Sequence, residues 1–478
     1  MSVTHRIALA ALSVTVITGC APALRSAADL APAADAPSSY EFRASPTRPG
    51  AIDIAPLSFD SDDESVAAAV AATAAASAGP SWDIDVRSFE DHDRVEFYVK
   101  RFSGSSRAWF EERMARSTQF EGLIKQALRA QELPEDLMYL ALIESGFDPH
   151  AYSRAAAVGM WQFMAPTATG YGLRLDWWVD ERRDPVASTY AAARFLKALR
   201  KQFGSDFLAA AAYNGGPGRL ARGLSRHADR LDGTTGDSSF FALTETGYLP
   251  SETSNYVPQL IAAARVGNDL ERYGMAAEVR EPFAYDSVSI PGGRPLAAVA
   301  AAAGVPVGEV LVLNTHLLRG VTPPESSTWW VRIPAGRALA FPIAWDALPE
   351  GERTAYELAA PKKGETVAQF AARHGRTTRQ IAAHNPGLKT TRGILAASQR
   401  LRIPSKAVLA TITERPDPAL DRIIAANTPP RTHTVARGET LDRIARKYDT
   451  SVARLQTWNK LGKKTLIRPG QKLVISAG

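Results

Sequence analysis

One motif in this chain is written twice. Lys363-Gly364-Glu365-Thr366-Val367 returns as Arg437-Gly438-Glu439-Thr440-Leu441, and Asn385 returns as Asn459, both at a step of 74 residues. Self-similarity held at a fixed offset marks repeated structural units, so the C-terminal third reads as copies of one small module. Each copy runs through a helical stretch, Gln369 to His374 or Asp442 to Tyr448, before its Asn. Each ends in a strand-like segment, Arg400-Leu401-Arg402-Ile403 or Lys472-Leu473-Val474-Ile475. The order is strand, two short helices, strand. Gly364 to Gln399 is two residues longer than Gly438 to Gln471, and the extra residues fall between Asn385 and Gln399. A third, degraded copy precedes these two. Gly293 and Asn314 keep the spacing, Leu296 and Val310 keep the apolar positions, and Arg294-Pro295 replaces Glu-Thr. Pro404, Pro416-Asp417-Pro418 and Pro429-Pro430 mark joints around the last two copies.

From about Val86 to Tyr273 the apolar spacing is helical, with few alternating strands. Within Leu133-Pro134-Glu135-Asp136-Leu137-Met138-Tyr139-Leu140-Ala141-Leu142-Ile143-Glu144-Ser145-Gly146, Pro134 and the acids after it suit a helix start, and Gly146 and Pro149 suit its end. Leu137, Leu140, Ala141 and Glu144 fall on one helical face. A carboxyl in line with a buried stripe, at the negative end of a helix, is pushed above its ordinary pKa of about 4.3. A carboxyl that keeps its proton near neutrality is what a general acid needs. On this pattern alone, a frayed helix-end Glu reaching solvent fits as well.

The context narrows the choice. Phe147-Asp148-Pro149-His150-Ala151-Tyr152-Ser153 follows, then Gly159-Met160-Trp161-Gln162-Phe163-Met164, Ala212-Tyr213-Asn214-Gly215-Gly216 and Glu252-Thr253-Ser254-Asn255-Tyr256-Val257-Pro258. These motifs, in this order across Leu133 to Ala264, resemble the lytic transglycosylases with a soluble-transglycosylase-type, lysozyme-like domain. The chain departs from many members at Ala156, where they carry Gly. The resemblance implies a mainly α-helical catalytic domain that cleaves the β-1,4 bond between N-acetylmuramic acid and N-acetylglucosamine in peptidoglycan. It implies that Glu144 protonates the bridging oxygen and then takes the proton of the muramoyl C6 hydroxyl, leaving a 1,6-anhydro end for cell-wall turnover. It implies that Ser153, Gln162 and Met164 line the sugar cleft and that Tyr213 orients Glu144 or the substrate acetamido group. Asn214 braces the Gly215-Gly216 turn, and Glu252 and Tyr256 close the helical core. Packing competes as a role for Met164 and Tyr256, and a helix-start acid for Glu252. Trp161, Trp177 and Trp178 suit an aromatic core better than sugar stacking.

The repeats resemble LysM modules, small α+β (βααβ) units that bind N-acetylglucosamine-containing glycans. That resemblance places a glycan groove at Gly438, Glu439, Thr440, Asn459 and Pro469 in the last copy. In the copy before it, the groove falls at Gly364, Glu365, Thr366 and Asn385, with Ala397-Ser398 replacing Pro469-Gly470. The degraded copy is expected to bind sugar weakly or not at all.

The N-terminus reads as an address. One Arg and one His precede an apolar stretch from Ile7 to Ile17, then Thr18-Gly19-Cys20. Ile17-Thr18-Gly19-Cys20 resembles a bacterial lipobox, implying cleavage before Cys20 and lipid on it. Ala21 after it implies an outer-membrane anchor facing the periplasm. No uninterrupted apolar run reaches the roughly 18 residues a spanning helix needs. The expected layout is a signal peptide at 1–19, a flexible Ala/Pro/Ser/Asp tether at 20–85, the lysozyme-like domain at 86–275, the degenerate module at 282–340, and LysM modules at 355–405 and 430–478.

Cys20 is the one cysteine, which excludes an intrachain disulfide, a cysteine-rich metal site and a cysteine peptidase. The eight His form no H-E-x-x-H pattern. No metal and no cofactor is expected. Net charge is +6, yet residues 431–478 alone hold eleven basic and three acidic residues. A basic face suits the carboxylate-rich stems of peptidoglycan. No nucleic acid is expected as a partner for an exported chain. The expected partners are peptidoglycan glycan strands and, through Cys20, a membrane. A lysozyme-like muramidase and a non-catalytic peptidoglycan-binding lipoprotein are the competing readings.

Overall fold

The computed structural model of the protein describes residues 84–391, 393–412, 415–427, 432–448 and 450–475. The expected signal peptide, the Cys20 lipidation site and all but the last two residues of the expected tether lie outside the described residues. The described residues divide into two compact units, one holding Leu196–Pro258, the other residues 84–195 and those from Gln259 on.

In the larger unit, α1 (Asp93–Ser103), α2 (Arg107–Ser117) and α3 (Glu121–Arg129) lead to a 3-10 turn at Glu135–Met138 and then α4 (Tyr139–Ser145). The sequence predicts one helix starting at Pro134. The first turn is instead a tighter 3-10 turn, with the Asp136 carboxylate turned inward. Asp136 is 4% exposed and accepts from Asn268 Nδ2 at 2.8 Å. Tyr139, three residues further, donates to Asn268 Oδ1 at 2.9 Å. Leu137, Met138, Tyr139, Leu140, Ala141 and Leu142 are all buried, so this segment is packed on every side. Helix α5 (Ala165–Gly170) and the first part of α6 (Pro185–Phe203), up to Phe195, follow.

The smaller unit is built on α7 (Asp206–Gly215), α8 (Pro217–Arg226) and α9 (Ser238–Glu245), with α10 (Ser251–Gly267) starting in it. Phe207, Phe240 and Phe241 pack edge to face in its core. Ser205 caps α7 by accepting from Leu208 N at 3.1 Å, and Asp237 accepts from Phe207 N at 3.0 Å.

Three βααβ modules complete the larger unit. The first has β1 (Tyr285–Pro291), α11 (Leu296–Ala303), α12 (Val307–Leu313) and β2 (Thr328–Pro334), followed by α13 (Phe341–Ala347) and α14 (Glu350–Arg353). The second has β3 (Tyr356–Ala359), α15 (Val367–Arg373), α16 (Thr378–His384), a small hairpin of β4 (Thr390–Thr391) and β5 (Ile394–Leu395), and β6 (Leu401–Pro404). The hairpin occupies the stretch where the sequence places the two extra residues. After α17 (Lys406–Leu409) and α18 (Pro418–Asn427), the third has β7 (Thr432–Thr434), α19 (Leu441–Lys447), α20 (Val452–Trp458) and β8 (Lys472–Val474). In each module the outer strands pair antiparallel.

The repeated Asn fixes the module. Asn314, Asn385 and Asn459 each donate from Nδ2 to a helix carbonyl four residues back and to a carbonyl of the last strand, at 2.7–2.8 Å. Each also accepts from that strand residue's N–H at 2.7–3.0 Å. One amide thereby ties the second helix to the last strand and satisfies buried polar groups on both.

The first module is not a separate bead. Trp178 and Val179, from the loop between α5 and α6, belong to its hydrophobic core with Val288, Ile290, Leu296, Val299 and Val331. Trp177 donates its indole N–H to Ala383 O at 2.7 Å and lies under the Arg319 guanidinium. Among the described residues no single helix is long and apolar enough to cross a membrane.

Candidate active site

Glu144 is the penultimate residue of α4, and Gly146 ends the helix in the left-handed region at φ 63°. Glycine suits that position because a Cβ would be strained there. The Glu144 side chain is half-buried, while Leu137, Leu140 and Ala141 on its face are 1%, 0% and 0% exposed. Ser145 Oγ donates to Met160 O at 2.8 Å and accepts from Asp148 N at 3.1 Å. The end of the Glu144 helix is thus bonded to the segment that carries Gln162 and Met164.

That segment is a tight loop. Tyr152 bridges Val158, which bridges Phe163. Ser153 closes one end, accepting from Ala157 N with its hydroxyl at 3.0 Å and donating its own N–H to Ala157 O at 2.9 Å. Ala156 sits at φ 64°, in the left-handed region. A Gly would hold this geometry without strain, whereas Ala156 holds it at a cost. Gln162 also has positive φ, 48°, and its side chain donates to Gly159 O at 2.8 Å. Met164 is 45% exposed, while Trp161 is fully buried and donates to Thr189 Oγ1 at 2.9 Å. Trp161 and Trp178 are therefore core residues, as their pattern suggests.

In the smaller unit, Asn214 joins α7 to α10. It accepts from Thr253 Oγ1 at 2.9 Å and donates to Glu252 Oε1 at 3.3 Å. Glu252 is exposed on the first turn of α10, and Tyr256, one turn on, is 2% exposed. Tyr213 is half-buried on the last turn of α7. Asp206, at the start of α7, has its carboxyl raised to about 6 by burial, against the pull of Arg200.

A cavity of about 510 Å³ opens beside α4 in the larger unit, lined by Tyr98, Arg101, Phe102, Trp109, Ile143 and Gln259 among others. Trp109 is stacked by Phe102 and covered by Arg113. Glu144 does not line it.

The repeated Gly-Glu-Thr motif has a common local geometry. Gly364 and Gly438 stand at φ 78° and 83°. Thr366 and Thr440 cap the helices that follow, accepting from Gln369 N and Arg443 N. Glu365 accepts from Lys362 N, and Glu439 from Ala436 N, each reaching three residues back. Glu365 is also gripped by Arg373 at 2.8 Å through both carboxylate oxygens, which brings its pKa down to about 2. Glu439 meets His433 at 2.6 Å. The motif thus encodes a turn and a helix start, and Asn385 and Asn459 bond to backbone. Pro469 precedes Gly470 in the loop before β8, where Gly470 N donates to Val435 O at 2.7 Å. Among the described residues no cluster of three or more His, Cys, Asp or Glu could hold a metal ion.

The sequence reading missed residues 180–184. Arg182 donates to Ala156 O and Phe163 O at 3.1 and 3.2 Å and pairs with Asp180. Asp184 is 3% exposed, caps α6 through Val186 N and Ala187 N, and meets Arg332 Nη1 at 2.9 Å and His316 Nδ1 at 3.2 Å. Burial pushes its carboxyl up, but Arg332 and His316 hold it below its ordinary value. No short-range motif marks such residues.

Residues 122–233 match the family model for the transglycosylase SLT domain. Residues 284–349 match that for the lytic transglycosylase MltD, LysM-like domain, and residues 362–404 and 433–476 match the LysM domain. Membrane-bound lytic murein transglycosylase D of Escherichia coli is 27% identical over 408 residues, covering 80% of this chain and 82% of its own length. Soluble lytic murein transglycosylase of Escherichia coli is 30% identical over 155 residues, 30% of this chain and 22% of that protein. The solved 70-kDa soluble lytic transglycosylase of Escherichia coli overlaps 34% of this chain and 26% of its own, with 26% identity and a TM-score of 0.27.

Proposed function

We propose that this chain, which its SLT domain, MltD-type LysM-like domain and two LysM domains group with the lytic transglycosylases, is an enzyme that cleaves the glycan strands of peptidoglycan. The observation that carries the mechanism is a half-buried Glu144 at the end of a packed helix, bonded through Ser145 to the loop bearing Ser153, Gln162 and Met164. Glu144 gives its proton to the oxygen joining N-acetylmuramic acid to N-acetylglucosamine as that bond breaks. The 2-acetamido group of the substrate stabilises the developing positive charge. The ionised Glu144 then takes the proton of the C6 hydroxyl, which closes on C1. Bonds and protons balance without water, and the same carboxyl serves as acid and base.

Mass spectrometry of the products released from purified sacculi tests this. The expected muropeptides end in 1,6-anhydro-N-acetylmuramic acid, lighter by one water than reducing ends. Reducing ends alone would convert the reading to a muramidase. No release at all would leave a glycan-binding protein.

The LysM modules serve as tethers. They raise the concentration of glycan near the cleft without tightening the cleft itself. Removing residues 431–478 is expected to weaken pulldown on sacculi about tenfold or more, while the release rate on saturating substrate holds. Unchanged pulldown would remove the last module from the binding role. The site of action is the periplasmic face of the outer membrane, with lipid on Cys20 as the anchor. The relative named as membrane-bound and the Ile17-Thr18-Gly19-Cys20 sequence support this.

A further inference from the structure

The LysM-like module bonds to the loop that supports the candidate cleft. Its segment Asn314–Leu318 runs against Trp178–Arg183: Asp180 N donates to His316 O at 3.0 Å, Leu318 N to Trp178 O at 2.9 Å, and Thr315 Oγ1 to Arg183 O at 2.5 Å. Arg415 holds the far side, donating to Thr315 O at 3.1 Å. From 182–183 the contacts continue into the cleft loop. Arg183 Nη1 donates to His150 O at 3.1 Å, and Arg182 Nη1 to Ala156 O and Phe163 O. Arg182 is fixed by both oxygens of Asp180 at 2.9 Å. Its own carbonyl lies so close to Gly159 that a Cβ built there would approach it to 1.8 Å. Ser153 and Gln162 sit within this braced loop, and Met164 follows it directly.

We propose that the LysM-like module is a positioning element for the sugar cleft, acting through Thr315, Arg183 and Arg182 on residues 150–163. The proposal rests on reading that loop as the cleft. It gives the module a task unlike that of a tethered binder, and the entry of Trp178 and Val179 into its core fits that task. A side chain held by a bidentate ion pair and two carbonyls transmits displacement, because the packed groups around it leave little slack. Arg182 and Thr315 touch no reacting atom in this scheme. They are positioning residues.

The test uses the full-length protein with Thr315→Val, Arg182→Gln and Arg182→Lys. Amide hydrogen exchange is followed at Gly159 and Phe163, whose N–H groups bond to Ala151 O and Val158 O. Muropeptide release and melting temperature are followed in parallel. In Thr315→Val, exchange at these amides is expected to rise about tenfold. The kcat/KM for release is expected to fall about five- to twenty-fold, with melting temperature and sacculus binding held. Arg182→Gln is expected to lose more than Arg182→Lys, which keeps the charge opposite Asp180. Unchanged exchange in Thr315→Val overturns the proposal, as does a loss of release that follows the melting temperature down. Exchange reads the relay without reference to chemistry. Equal release by wild type and Glu144→Gln would instead sink the functional reading.

Discussion

Glu144→Gln is expected to lower muropeptide release by about a thousandfold or more while the chain still folds and still binds sacculi. The amide matches the carboxyl in size, so the last turn of α4 and the Ser145–Met160 bond are kept. It has no proton to deliver to a leaving oxygen and no basic lone pair to take one back. Both halves of the proposed cycle stop together, which places the loss at the upper end of what one acid–base group supplies. Binding is expected to persist because the last module has its own core of Val435, Leu441, Ile444, Leu455, Leu473 and Ile475. Glu144→Asp is expected to fall between the two, since it keeps the chemistry and shortens the reach. The check is release from sacculi under single-turnover conditions, with circular dichroism showing the variant folded. Release at the wild-type rate would remove Glu144 from the reaction.

Gly159→Ala is expected to be among the most damaging single-methyl additions in the chain. Its φ is +81°, which costs an L-residue roughly 1–2 kcal/mol. The added Cβ would also lie 1.8 Å from Arg182 O and 2.7 Å from Arg182 C, a backbone group with bonded residues on both sides. Relieving that overlap moves either the candidate cleft loop or the 180–184 segment. The total is expected to reach about 3 kcal/mol or more. Gly204→Ala is the control: its φ is +69°, but no heavy atom lies within 4 Å of the new Cβ. It bears only the backbone cost, roughly 1–2 kcal/mol. Thermal unfolding compares the two. Equal melting temperatures would show that the close approach to Arg182 carries no strain. With the gap as expected, muropeptide release by Gly159→Ala is lost at temperatures where Gly204→Ala is active.

Much of the modular fold could be read from residue spacing. The step of 74 and the Gly-to-Asn interval correspond to an αL turn, a capping Thr and an Asn that bonds the last strand. These are contacts within one short module, so each leaves its mark at fixed separations along the chain. The same holds for Glu144 near a Gly-capped helix end, and for Ala156 at a position that favours Gly. The Gly-Glu-Thr and Asn residues expected to form a glycan groove also have a structural task. Their polar atoms are engaged with the backbone or with Arg373 and His433, which a motif alone does not reveal.

Sequence alone therefore determined the repeat, the order of modules, the helical character of the catalytic region and a carboxyl, Glu144, in line with a buried stripe. Tertiary structure decided that Trp178 enters the core of another module, that Asp184 is a buried charge between Arg332 and His316, and that Arg182 holds the candidate cleft loop. Periodicity and capping act between residues a few positions apart. A buried ion pair, a shared core or a brace depends on which surfaces meet after the chain has folded back on itself, and partners from some twenty to more than a hundred residues away impose no spacing on each other.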